Sequence, residues 1–366
     1  MKIVIFGLSV SSSWGNGHAT LWRGLIAALG KLGHEVVFYE RDQPWYAQHR
    51  DATHVPGCEL ILYRDWREIR VRAGHMLGAA DAAIVTSYCP DGIAALALLR
   101  RERAPLKVFY DLDTPVTLSL IARGEPQTAI GPEGLADYDL VLSYTGGPAL
   151  QRLRDDLGAR AVVPLYGHAD PAVHRPAAPR AAFQADLSYI GTYAPDRQAG
   201  VEAFFVEPAR LAPWRRFVLA GAQYPQDFPW TQNIHFVRHL PPVDHPAFYA
   251  SSLLTLNVTR EAMAEAGWCP SGRLFEAAAC GAAIVSDAWP GLEDFFEPGR
   301  EIIVARDTQD VLAALSEPPE ALAGIGSAAR ARLLEQHTAR RRADTLVSAL
   351  ETALAVRRTA NVAKEV

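Results

Sequence analysis

Cysteine is scarce in this chain and badly spaced for chemistry. Only four occur in 366 residues, Cys58, Cys89, Cys269 and Cys280, and no two form a Cys-x-x-Cys pair. That spacing excludes a cysteine-built zinc site and gives no disulfide framework. Lysine stands only at positions 2, 31, 107 and 364, so the basic charge is almost all arginine. No basic excess exists: the net charge is −5, without the electrostatic footprint of a nucleic-acid binder. No apolar run approaches the roughly 20 residues of a membrane span. Residues 3–7, behind Met1-Lys2, are too short for a signal-peptide core and read as a first strand. These absences point to a cytoplasmic protein, with peripheral membrane contact left open. No internal repeat or low-complexity tract appears.

What is present is an alternation of short apolar strands and amphipathic helices. Residues 2–8 read as a strand, 9–17 as a Ser/Gly loop, 18–32 as a helix and 34–39 as a second strand. That is one βαβ unit opening a doubly wound parallel sheet. Strands follow at 82–86, 106–111, 140–144 and 162–165, with helices at 92–101 and 148–157. Residues 169–185 are proline-rich and aperiodic, as an interdomain linker would be. A second α/β series then begins. It has strands near 187–190, 216–220, 234–237, 253–257, 283–286 and 301–304, and a helix from the 191–193 loop to about 211. The last helical stretch runs from 319 to 356, with breaks expected near 324–326 and 337.

With 366 residues, the chain is expected to form two domains of about 150 to 200 residues each. The boundaries read as 1–176, joined by a terminal helix at about 340–358, then 177–339, with 359–366 a flexible tail. The expected fold is α/β, two Rossmann-like domains facing an interdomain cleft.

Residues 270–287, PSGRLFEAAACGAAIVSD, hold the densest functional signal. A polar turn at Ser271 and Gly272 opens a short helix, with Arg273 in its first turn and Glu276 one turn in. Gly281 stops it. A helix start offers unpaired N–H groups and a positive dipole end, which suits a diphosphate. A carboxylate one turn on can accept hydrogen bonds from sugar hydroxyls. Arg260 follows an apolar strand and is expected at its carboxyl edge. Together with Arg197 and Arg273 it can neutralise a diphosphate and stabilise it as a leaving group.

In the first half, residues 11–20 read SSSWGNGHAT. Gly15 and Gly17 permit close backbone approach, and Asn16 or His18 can cap the following helix or touch substrate. The loop does not fit G-x-G-x-x-G. Asp111 and Asp113 flank a strand end and read as turn chemistry. His235, His239 and His245 form no helical His-x-x-x-His pair, and no metal site is expected. Trp14, Trp45, Tyr46, Trp268 and Trp289 are candidate sugar-stacking faces that can equally be core.

Several segments resemble the GT-B glycosyltransferases of group 1, and the CgeB-like branch in particular. They are residues 188–197 (SYIGTYAPDR), 256–260 (LNVTR), 269–276 (CPSGRLFE), 279–281 (ACG) and 286–299 (SDAWPGLEDFFEPG). The resemblance spans roughly 185–310. It implies a nucleotide-diphosphate sugar held mainly by the second domain, through Gly191, Tyr193, Arg197, Arg260, Ser271, Gly272, Arg273 and Glu276. It implies metal-independent transfer with retention and no cofactor beyond the donor. In the first domain the loop of Gly15, Asn16, Gly17 and His18 is the candidate to bind the acceptor or the donor phosphates. The catalytic set is then Arg260, Arg273 and His18. The acceptor is a glycan, lipid, small molecule or protein, and UDP, GDP and dTDP are not distinguished. The group-1 pattern pairs two glutamates, Glu-x7-Glu. Glu276 matches the second, for the ribose; Trp268 stands where the first belongs. A nucleotide-sugar epimerase and a non-catalytic nucleotide-sugar-binding protein are the competing readings.

Overall fold

The computed structural model describes residues 1–15, 17–102 and 105–365, with side chains described through residue 360. The chain divides into two compact units, Met1–Tyr166 with Arg340–Val366, and Gly167–Ala339.

Among the described residues the first unit holds seven strands: β1 (Lys2–Gly7), β2 (Glu35–Arg41), β3 (Cys58–Tyr63), β4 (Ala82–Thr86), β5 (Leu106–Asp111), β6 (Leu140–Ser143) and β7 (Val162–Pro164). They form one sheet in the order β3-β2-β1-β4-β5-β6-β7, every pair parallel. Ile3, Val4, Ile5 and Phe6 of β1 and all of β4 are buried, as expected of strands covered on both faces. The helix His18–Lys31 turns Leu21, Leu25, Ala28 and Leu29 inward on one stripe.

The second unit holds β8 (Ala185–Ile190), β9 (Phe217–Gly221), β10 (Ile234–Arg238), β11 (Ser252–Asn257), β12 (Ile284–Asp287) and β13 (Ile303–Ala305). Its parallel sheet has the order β10-β9-β8-β11-β12-β13. Leu187, Tyr189, Phe205, Phe217, Leu219, Leu254, Leu256 and Val285 form its core. Each sheet reverses direction of growth once, between β1 and β4 in the first and between β8 and β11 in the second. In such sheets the crevice beyond the strands' carboxyl ends at that switch is where ligands bind.

Some features depart from the sequence pattern. β3 and the helix Trp66–Gly78 have no counterpart among the elements expected from the sequence, although residues 60–63 of β3 form a continuous apolar run (LILY). β3 is an edge strand with exposed Glu59, and the helix buries only Ile69, Ala73 and Leu77. The segment after β8 is not one plain helix, because a π-helical turn at Glu202–Val206 interrupts it. The helix Pro319–Gln336 runs unbroken through 324–326, while the break at His337 is present. The terminal helix, Ala339–Glu365, takes in residues 359–365, where a tail is expected. Among the described residues no helix is long and apolar enough to cross a membrane.

Candidate functional site

The switch point of the second sheet is spanned by one side chain. Arg273 lies in the first turn of the helix Gly272–Cys280, whose start is capped by Ser271: the serine hydroxyl accepts the Arg273 N–H at 3.3 Å. The guanidinium donates through Nε to the Ile190 carbonyl, at the end of β8, and through Nη1 to Asn257 Oδ1, at the end of β11, at 2.8 Å. It also lies 5.0 Å over the Tyr189 ring. Arg197 approaches from the loop after β8, and its Nη1 donates to the Tyr189 hydroxyl at 3.2 Å. Its Nε is buried with no hydrogen-bond partner. Neither arginine forms a salt bridge with a carboxylate among the described residues.

Gly191 is what lets these cations meet the backbone. A Cβ there would stand 2.8 Å from Tyr189 Oη, 2.9 Å from Arg273 Nη2 and 3.1 Å from Arg197 Nη1. Gly221 is needed behind it, since a Cβ at 221 would sit 2.0 Å from the Gly191 carbonyl oxygen. Tyr193 continues the loop, its N–H bonded to the Ala222 carbonyl at 2.9 Å and its ring edge-on to Tyr224.

Glu276 lies on the same helix as Arg273 but faces two imidazoles. Its Oε1 is 3.8 Å from His174 Nε2, and its Oε2 is 3.5 Å from His245 Nδ1. Its side chain is 16 % exposed. Burial opposes the charged form, yet His174, His245 and Arg273 outweigh it and hold the carboxyl at about 2. Burial pushes His174 the other way, below the usual imidazole range, against the pull of Glu276. The sequence pattern groups His245 with His235 and His239. In the fold His245 joins His174, which no local spacing signals.

Arg260 stands apart from the other two arginines in its pairing. It precedes the helix Glu261–Ala266, and its Nε donates to Asp196 Oδ2 at 2.7 Å, beside Arg197. Trp268, eight residues before Glu276, has a left-handed backbone conformation (φ 44°). Its Nε1 donates to Asp294 Oδ2 at 2.6 Å. Upstream, Glu265 is exposed. A residue that sequence reasoning passed over is Asp287, at the end of β12. Its carboxylate accepts from the Thr259 N–H at 3.1 Å, the Thr259 hydroxyl at 3.0 Å and Asn257 Nδ2 at 3.3 Å. It therefore fixes the turn that delivers both Asn257 and Arg260.

In the first unit, His18 opens its helix and is half-buried, its Nδ1 sealed from solvent without a partner. Burial lowers its pKa below the ordinary value, and the Asp113 charge counteracts part of that. The Tyr88 ring lies 5.8 Å from it, and the Tyr88 hydroxyl donates to Asp113 Oδ2 at 2.8 Å. Gly15 has a positive φ of 68°, whereas Gly17 has ordinary helical dihedrals and open space around it. Asn16 lies outside the described residues. The serine loop before them is organised by buried Glu40, which no motif announces. Its carboxylate accepts the Val10 and Ser11 N–H groups at 2.7 and 2.9 Å and the Ser11 hydroxyl at 2.6 Å.

Residues 197–348 match the family model described as glycosyl transferase-like. No curated protein sequence matches the chain. Among solved structures, the sucrose-phosphate synthase of Thermosynechococcus elongatus is 15 % identical, with a TM-score of 0.72 over 97 % of this chain and 99 % of that one. Anabaena HepE in complex with UDP and glucose is 14 % identical, with a TM-score of 0.67 over 96 % of this chain and all of that one (100 %). An alpha-glucosyltransferase in complex with UDP and DNA is 15 % identical, with a TM-score of 0.73 over 96 % and 99 %. The fold is GT-B, built of two Rossmann-like parallel sheets.

Proposed function

We propose that the second unit binds a nucleotide-diphosphate sugar and that the protein is a glycosyltransferase acting on a separate acceptor. One observation carries this reading. Two arginines, Arg197 and Arg273, converge on a side-chain-free backbone at the sheet's switch point, and among the described residues no carboxylate forms a salt bridge with either. A buried guanidinium Nε without a partner calls for an anionic oxygen. The adjoining helix start adds N–H groups and a positive dipole end. A sugar diphosphate supplies what both lack.

The same charges serve the chemistry. As the bond from C1 to the β-phosphate oxygen breaks, negative charge grows on the diphosphate, and two fixed guanidiniums stabilise it without reorganisation. In the group-1 mode the acceptor oxygen bonds to C1 with retention, and its proton passes to the leaving phosphate. Glu276, one turn beyond Arg273, turns both carboxylate oxygens toward His174 and His245, so no ribose contact is assigned to it. Arg260 acts by holding Asp196 and hence the loop carrying Arg197. His18, kept neutral by burial, accepts a hydrogen bond from the acceptor on the first unit. Solved proteins of this fold bind UDP and UDP-glucose, which makes UDP the first nucleotide to test.

The test is calorimetry with UDP, GDP and dTDP on the wild type and on Arg197→Ala and Arg273→Ala. Each substitution is expected to weaken the favoured nucleotide at least about 10-fold, the loss of roughly 1.4 kcal/mol. Unchanged affinity in both variants sinks the site assignment. Incubation with nucleotide sugars then separates the activities. Nucleotide release accelerated by an acceptor marks a transferase, and a new nucleotide sugar marks an epimerase. Binding without turnover marks the non-catalytic reading that Trp268, tied to Asp294 in the missing glutamate's place, favours.

A further inference from the structure

The second unit holds another polar cluster, built from three separate stretches of chain. His174 comes from the segment before β8, His245 opens the helix His245–Ala250, and Glu276 comes from the helix Gly272–Cys280. One donor atom from each lies within 4.8 Å of the other two. We propose that these three residues form a binding site for a zinc-class divalent ion, with His174 Nε2, His245 Nδ1 and a Glu276 oxygen as its protein ligands.

Geometry supports the ion over a plain ion-paired triad. The two nitrogen-to-oxygen separations, 3.8 and 3.5 Å, are long for hydrogen bonds. Two ligands each about 2.1 Å from a tetrahedral ion stand about 3.4 Å apart; the 3.5 Å pair of His245 Nδ1 with Glu276 Oε2 is near that spacing, and the 3.8 Å pair of His174 Nε2 runs to the other oxygen, Oε1. His174 is 1 % exposed, yet neither of its ring nitrogens has a hydrogen-bond partner. A buried imidazole so placed is costly unless something else satisfies it. His245 Nδ1 is likewise unpartnered, while its Nε2 faces the Leu240 carbonyl at 3.4 Å. A ring N–H turned to a carbonyl leaves the other nitrogen's lone pair free, which is how metal-bound histidines are commonly oriented.

The donor set selects the ion. Two imidazoles and one carboxylate suit zinc and its transition-metal neighbours, whereas magnesium and calcium want oxygen. The fourth position would belong to water or a ligand. The sequence alone leads to no metal expectation because His174 and Glu276 are remote along the chain. This inference does not rest on the nucleotide-sugar reading, since the arginine cluster is assigned the diphosphate and the ion is assigned none of it.

The test uses the full-length protein, stripped with a chelator and dialysed against ZnCl2 or MgCl2, with bound metal measured by mass spectrometry. About one zinc per chain and no retained magnesium are expected. Cobalt(II) should give the visible absorption of a tetrahedral site. In His174→Ala and His245→Ala, zinc affinity should drop at least about 100-fold, since even outer-shell partners cost 10- to 100-fold. Substoichiometric zinc in the wild type, or undiminished zinc in both variants, overturns the site. Should a variant fail to fold by circular dichroism, the wild-type stoichiometry and cobalt spectrum decide alone. Arg197→Ala separates the two readings, because it should lose nucleotide and keep zinc.

Discussion

At the scale of single residues, the site depends on what Gly191 lacks. A methyl there would press on Tyr189, Arg197 and Arg273 together. We expect Gly191→Ala to fold and to lose nucleotide affinity about 10-fold or more, roughly 1.4 kcal/mol, by calorimetry. Asp111 gives a second residue-level expectation. It is fully buried, and burial pushes its carboxyl up to about 6, with Asp113 adding to that and hydrogen bonds from the Asp113 N–H and the Thr117 hydroxyl opposing it. Raised above its unfolded value, this carboxyl favours the fold while protonated. Its contribution is full below about pH 4 and is lost as pH rises through about 6, a swing of order 3 kcal/mol. The melting temperature of Asp111→Asn should therefore gain on that of the wild type between pH 4 and 6.5; a constant offset refutes it. Arg273, Ser271 and the helix start were legible because a cap, a charge and a stop sit within one short window. Glu276's place on that helix was legible too, but its histidine partners were not, because they come from distant parts of the chain. Glu40 was hidden for a like reason: it reads as one polar residue ending a strand, while its work is done on a loop some thirty residues earlier in the chain.

At the scale of elements, glycines that look alike in sequence do different jobs. Gly324 and Gly326 read as a helix break, yet the helix Pro319–Gln336 passes through both. A Cβ on Gly326 would lie 2.3 Å from the Gly281 carbonyl oxygen, at the end of the site helix, whereas one on Gly324 would meet nothing within 4 Å. Gly326 is thus a close approach between two helices, reinforced by Arg330 Nε donating to the Ala279 carbonyl at 3.2 Å. Gly326→Ala should cost about 1 to 3 kcal/mol through overpacking, despite alanine's better helix propensity. Gly324→Ala should gain up to about 1 kcal/mol. Thermal melts of the two variants check the opposite signs. The strands were legible from continuous apolar runs because a covered parallel sheet demands them on both faces. The helix Trp66–Gly78 was not, since it buries only Ile69, Ala73 and Leu77 under a charged surface.

At the scale of the whole molecule, the second unit is an insertion within the first. Its two ends run side by side: Ala169 pairs in parallel with Thr338, its N–H bonding the His337 carbonyl at 3.2 Å and its carbonyl accepting the Ala339 N–H at 2.9 Å. The returning chain then gives the first unit a terminal helix whose Ala343, Leu346 and Leu350 are fully buried. Truncation after residue 339 should therefore unfold the first unit and spare the second, with chymotrypsin digesting residues 1–166 first. A fragment of residues 167–339 should melt cooperatively by itself. Two α/β halves were legible in the sequence because each repeats the strand–helix alternation. The zipper between Ala169 and Thr338 was not, because backbone pairing leaves no mark in side-chain pattern. Its consequence is portability: with both ends clasped at one point, the second unit can be lifted out as a cassette and set into a loop of another scaffold without stretching either side.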